Sequence, residues 1–296
     1  MALLRKVKLL LNAIEGYLYK WMVDAHILSI PSLKGDYDIV VSLTSYGRRV
    51  GDCIVYYTIV SLLRQKIQPS RIILWLAENE WSDENLPERL KKLRQKGVEI
   101  RYCEDIRSYK KLVPTIRLCP NANIMTVDDD MIYSSETISS VWEVHKQKPN
   151  EIICRNSSMP FFMNGVPQHY NDWKALVKDQ EGTLIFPVGV GGTLYPAGSL
   201  HPDVTRSDIF MKLCPLADDI WFWFCGLRNG TNKRYLHVNK KDLTFDALYQ
   251  YFHKGSALTH SNSVEHQNDK QFRNLFEHYG VKVEEDGSII GNNIKK

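Results

Sequence analysis

Between Asp38 and Asp130 the chain switches four times between a short apolar run and a helical or turn-like segment, and this alternation constrains the fold more than any other feature. The runs cover residues 38–44, 71–76, 98–102 and 124–127, and they are dominated by Val, Ile and Leu rather than by alternating polar and apolar positions. Strands covered on both faces have this composition, because the crossover helices of a parallel sheet lie on both of its sides. Helical patterns fall between them at 52–66, with Ile54, Tyr57, Thr58, Val60, Ser61 and Leu62, and at 86–96, where Gly97 supplies a stop. Four such units in about a hundred residues predict an α/β fold with a mostly parallel central sheet flanked by helices. A further helix at 136–146 and a strand at 151–155 extend it, and from 156 to 203 the periodicity gives way to aromatics, glycines and prolines, the composition of loops over a site. The expected organisation is a helix and linker at 1–35, one domain at 36–280, and a polar tail at 281–296 that frays.

Residues 2–22 carry Leu3, Val7, Leu10, Ile14, Tyr17, Leu18 and Trp21 at helical spacing, with Arg5, Lys6, Lys8 and Lys20 among them. Five basic against two acidic residues over positions 1–34 give +3 of the formal +4 of the whole chain. Asn12 and Glu15 interrupt any run of spanning length and no small-residue cleavage site follows, which argues against a transmembrane span or a signal peptide. Such a basic amphipathic helix suits an anionic bilayer surface, or packing on its own domain or a second subunit. The expected location is the cytoplasm, at the inner face of the plasma membrane. With 38 basic and 34 acidic residues nearly balanced, nothing calls for a nucleic-acid partner. The six cysteines are scattered without metal or redox spacing and read as core thiols of a reducing compartment.

The fourth apolar run ends in Asp128, Asp129 and Asp130. Open α/β sheets place ligands at the carboxyl ends of their strands, so these acids mark a site mouth. In an extended chain Asp128 and Asp130 point to the same side, a pair suited to a hard divalent cation, Mn²⁺ or Mg²⁺, that brings phosphates with it. An acidic turn capping the next helix through Ser134 or Ser135 would leave the same residues. The same sheet edge would carry Thr44, Tyr46 and Arg48 after the first strand and Asp105, Arg107 and Lys110 after the third, where cations can take a nucleotide diphosphate and an Asp can accept from a base or ribose. Gly189, Gly191 and Gly192 permit close backbone approach to a ligand, or a tight bend in a strand. Asp218 and Asp219 lead into the aromatic run 220–224. There an acid beside Trp221 suits a general base with an indole stacked on a sugar, or else a capped helix over an aromatic core. The phosphate-loop, dinucleotide and nucleophile-elbow patterns do not occur, which weakens kinase, ATPase, dehydrogenase and hydrolase readings.

Taken in order, Thr126-Val127-Asp128-Asp129-Asp130, Gly191-Gly192-Thr193-Leu194-Tyr195-Pro196 and Ala217-Asp218-Asp219-Ile220-Trp221 resemble bacterial nucleotide-sugar glycosyltransferases of the GT-A fold, close to glycosyltransferase family two. The resemblance runs from about residue 36 to 279. It implies metal-dependent transfer of a sugar from a nucleotide diphosphate donor, a UDP-sugar first among them, to a hydroxyl of a glycan or lipid-linked acceptor in surface polysaccharide synthesis, capsule or lipopolysaccharide. Carried over, Asp130 is a metal ligand, Asp128 a ribose or metal contact, and Asp129 lies with them on the donor. Asp219 is the base of an inverting reaction with Asp218 in support. Trp221, Gly191 and Gly192 are expected at the acceptor. His260, which no spacing connects to the acids, reads either as a further metal or diphosphate ligand or as a surface or structural histidine. The chain departs from the family in having Asp218 where a Glu precedes the base. It also lacks the Gln-x-x-Arg-Trp signature of processive synthases, which implies one sugar per encounter. Two rivals stand beside this reading. A sugar-phosphate nucleotidyltransferase would need a Gly-rich, Arg-containing loop after its first strand, where Ser45-Tyr46-Gly47-Arg48-Arg49 has one glycine. The other is a carbohydrate-binding or assembly protein on an inactive transferase scaffold.

Overall fold

The computed structural model describes residues 2–238, 242–244, 267–284 and 288–291. Strands β1 (Tyr37–Thr44), β2 (Pro69–Ala77), β3 (Val98–Cys103), β4 (Ile124–Thr126), β5 (Ile152–Cys154), β6 (Gln180–Gly182), β7 (Thr193–Tyr195) and β8 (Lys233–Tyr235) form one sheet in the order β6-β8-β5-β7-β4-β1-β2-β3. The four strands expected from the apolar runs make up its parallel half. β7 runs antiparallel between β4 and β5, β8 pairs parallel with β5, and β6 closes that edge antiparallel. The fold is therefore α/β, with the mostly parallel, helix-flanked sheet that the alternation predicted. From β1 the chain winds outward to β2 and β3 and then returns to lay β4 on the other side of β1, with Ser42 opposite Thr126. That reversal opens a crevice at the carboxyl ends of β1 and β4, where a sheet of this kind holds its ligand.

Alternation along β1 divides the interior into two cores. Ile39, Val41 and Leu43 face helix α2 (Ile54–Leu63), all ten residues of which are buried, as befits a helix that is apolar on every side. Val40 on the other face joins an aromatic core built on α5 (Asp218–Arg228) and α6 (Gln267–Tyr279), numbered after α3 (Glu88–Leu93) and α4 (Thr137–Gln147). Phe272 and Phe276 of α6 lie against Trp223 with ring centroids 4.9 and 6.3 Å apart. The loop-rich stretch contains a small sheet in which Ser157–Met159 pairs with Lys174–Ala175 and Phe186–Pro187. The tail departs from expectation. Lys282–Val283 pairs antiparallel with Ile289–Ile290, because Val281 and Val283 are buried in the aromatic core and draw the chain back.

Helix α1 (Ala2–Asp24) docks through its small-residue side: Ala13 and Val23 are buried, and Asp24 accepts from the Tyr57 hydroxyl at 2.8 Å and from Arg89 at 2.5 Å. Its apolar stripe faces outward. Val7, Leu10, Leu11, Ile14, Tyr17, Leu18 and Trp21 are each 47–58% exposed. Among the described residues no helix is long and apolar enough to cross a membrane.

Candidate active site

β4 stops at Thr126, so strand alternation does not carry into the acids. Asp128 and Asp130 accordingly do not share a side, which corrects the sequence expectation. Asp129 and Asp130 instead share the guanidinium of Arg49, at 2.5 and 2.9 Å, while Asp128 turns toward Lys111. Asp129 is the buried member. It accepts from the Ser45 hydroxyl at 2.5 Å, and its main-chain carbonyl accepts from Thr58 at 2.8 Å. It ties the loop after β1 to the loop after β4, a structural role where a donor contact was expected. The chain beyond is anchored by a buried ion pair: Asp242 faces Arg155 at 2.5 Å and accepts from the Ser134 amide at 2.9 Å, and the adjoining Leu243–Thr244 pairs with Met131–Ile132.

The second half of the site is assembled around Lys111, the last residue of the 3₁₀ turn Arg107–Lys111. Its ammonium lies 2.8 Å from Asp218, 3.5 Å from Asp128 and 3.7 Å from Asp219, joining acids that are about ninety residues apart. Asp218 and Asp219 open α5, but the N-cap is Ala217, so neither acid is a cap. The Gly189 amide donates to Asp219 at 3.0 Å. A Cβ at Gly189 would stand 2.8 Å from the Asp219 carboxylate and 3.0 Å from the Lys111 ammonium, so a side chain there would push the acid or the cation aside.

Burial pushes the Asp219 carboxyl up to about 7, with Lys111 pulling against it. Burial likewise lifts Asp130 to about 7 and raises Asp129, opposed by Arg49. Burial disfavours the charge on Lys111, but Asp218, Asp219 and Asp128 together hold its pKa well above the ordinary lysine range. Five carboxylates thus face two cations, an excess of negative charge. Such a donor set fits a hard divalent cation. Among the described residues no three His, Cys, Asp or Glu side chains converge on one point, so a cation held by Asp128 or Asp130 would complete its shell with water or phosphate oxygens, as Mg²⁺ commonly does.

Other expected residues are placed differently. Lys110 pairs with Asp105, whose carboxylate also takes the Arg107 amide at 3.0 Å; the local pair closes on itself, and it is the neighbour Lys111 that enters the site. The Arg107 side chain donates to the Pro215 carbonyl at 3.3 Å. Thr44 donates to the Trp75 carbonyl at 2.9 Å and so fastens β1 to β2. Arg48 pairs with Asp52 on an exposed turn of helix, whereas Arg49 reaches the acids and lies 5.5 Å from the exposed Tyr46 ring. Trp221 is fully buried, donates to the Val204 carbonyl at 3.1 Å and packs between Phe210 and Phe224, so it has no face to offer a sugar. Gly191 and Gly192, at φ of 94° and 97°, take the left-handed backbone that bends the chain into β7, and a Cβ on Gly192 would meet the Met125 methyl at 2.5 Å. His260 lies outside the described residues. Lys111, Arg49, Ser45 and Gly189 were not singled out for these contacts by sequence reasoning. Each sits beside a residue of similar type or within a flagged motif, and only side-chain direction separates them.

No family model matches the chain, and no curated protein does. Among solved structures it is similar to S. aureus TarS 1-349, at 12% identity and TM-score 0.47, over 81% of this chain and 72% of that one. It is similar to the same protein in complex with UDP, at 13% identity and TM-score 0.46, over 82% and 72%. It is also similar to CMP:2-keto-3-deoxy-manno-octonic acid synthetase complexed with CTP, at 8% identity and TM-score 0.43, over 75% and 96%. With identities and TM-scores this low, the site's own geometry remains the ground for its chemistry.

Proposed function

We propose that this chain is a metal-dependent glycosyltransferase of GT-A type that moves a sugar, a hexose in the first instance, from a UDP-sugar to a hydroxyl of a glycan or lipid-linked acceptor in surface polysaccharide synthesis. The observation that carries this reading is the cluster at the crevice between β1 and β4, where Lys111 lies 3.5 Å from Asp128 and 3.7 Å from Asp219 while Arg49 holds Asp130 at 2.9 Å. Asp130 and Asp128 would hold Mn²⁺ or Mg²⁺ on the donor diphosphate; when bound, the cation neutralises charge on the leaving group. Arg49 keeps the acid loop in place, and the Asp219 carboxylate, aimed by the Gly189 amide, takes the proton of the acceptor hydroxyl as it attacks the anomeric carbon, inverting it. A carboxyl lifted to about 7 is a stronger base than an ordinary aspartate once ionised.

Calorimetric titration with UDP, with and without Mn²⁺, tests the donor half: binding that requires the metal and is lost in Asp128→Ala and Asp130→Ala is expected, and metal-independent binding retained in both variants refutes it. Donor turnover separates this enzyme from an inactive scaffold. The outward stripe of α1, with basic residues interspersed along its sequence, further supports attachment to the anionic inner face of the plasma membrane. Co-sedimentation with anionic vesicles that survives the pair Leu18→Glu and Trp21→Glu would refute that part.

A further inference from the structure

A cavity of about 260 Å³ opens between the loop around residues 166–173 and the first turns of α6. No residue of the 44–49 or 105–130 segments lines it, so it is separate from the donor edge. It is nevertheless built on the scaffold that holds Asp219. Trp173 on its wall packs edge-on against Phe272 of α6 at 5.0 Å, and Phe272 lies 4.9 Å from Trp223 of α5, the helix whose first turn carries Asp218 and Asp219. Tyr170 meets Phe186 edge to face at 5.8 Å, three residues before the glycine that orients Asp219. The loop is pinned to α6 by Asp269, which accepts from the Tyr170 amide at 2.7 Å and lies 3.0 Å from the His169 ring nitrogen.

We propose that this cavity binds a glycosyl unit of the acceptor, an inference that rests on the transferase reading above. A sugar ring presents an apolar C–H face and a rim of hydroxyls, and the walls offer both complements. The ring of Tyr170 is half-buried at the cavity and backed by Trp173. Asn268 lines the same wall, and its buried side-chain oxygen has no hydrogen-bond partner among the described residues, an acceptor that a sugar hydroxyl would satisfy. His169 and Arg273 supply polar groups at the solvent side. The volume accommodates a single ring, so the remainder of the acceptor would extend into solvent along α6.

The test uses the full chain and a panel of methyl glycosides, the glucoside, galactoside, mannoside and N-acetylglucosaminide, observed by saturation-transfer NMR. UDP–Mn²⁺ calorimetry is run in parallel on the same preparations. At least one glycoside is expected to bind, and its affinity to fall tenfold or more in Tyr170→Ala and in Asn268→Leu, with UDP binding by the folded protein unchanged. Asn268→Ala, which removes the acceptor without adding bulk, replaces the leucine variant if that one does not fold. No binding by any member of the panel, or equal binding by wild type and both variants, overturns the proposal. Glycoside binding of the expected pattern without any UDP binding sustains the cavity and refutes the donor reading instead.

Discussion

Replacing Lys111 by methionine roughly keeps the length of the side chain and removes the cation that, among the described residues, Asp218, Asp219 and Asp128 share. At an effective dielectric of about 20, a unit pair at the 2.8 Å separation from Asp218 is worth about 6 kcal/mol before desolvation is subtracted. The native pair nets far less than this, because burying the ammonium offsets most of the attraction. Deleting one partner leaves carboxylates buried without compensation, which costs about 3–5 kcal/mol. The loss carries a pH signature. Asp219 is already raised to about 7 with Lys111 present, and without the cation it rises further. A carboxyl whose folded pKa exceeds its unfolded value holds extra protons in the folded state between the two, so it destabilises increasingly as pH climbs through that window and ceases to do so below it. Wild type and Lys111→Met differ at Asp219 only above a pH of about 7, so urea unfolding at pH 8 and pH 5 should show a deficit that is larger at pH 8 by up to about 1.4 kcal/mol. A deficit below about 1 kcal/mol at pH 8, or one that is the same at both values, would refute the view that Lys111 holds the acids together.

Asp219→Asn should lower transfer by about 10²–10⁴-fold with UDP binding intact, and the wild-type turnover should rise with pH and level off above about 7 as the base loses its proton; an acid-side plateau extending down to pH 5 would remove Asp219 from that role. Trp221→Ala should cost about 3–5 kcal/mol in a denaturation experiment, since the indole is fully buried and its N–H is bonded to Val204, while the acceptor KM of the folded fraction stays unchanged. A raised KM without loss of stability would return the indole to the acceptor site.

The apolar runs and the stops between them determined the parallel half of the sheet, because covered strands need no polar alternation and each helix must cross over before the next strand can pair. They also placed Asp128–Asp130 and Asp218–Asp219 at element ends, where chemistry sits. Which neighbour of a like pair faces the crevice was not legible there. Lys110 against Lys111 and Arg48 against Arg49 are decided by the turn geometry of short helical segments, and the alternation expected of Asp128 and Asp130 failed because β4 ends two residues before the first of them. Trp221 reads as a sugar platform beside two acids, yet α5 is apolar on every side and the core claims the ring. Local pattern sets what each segment becomes, since backbone hydrogen bonding and burial act over a few residues. The meeting of Lys111, Asp128, Gly189 and Asp219 spans segments far apart in the chain, and only the packing of β4, β7 and α5 brings them within ion-pair distance.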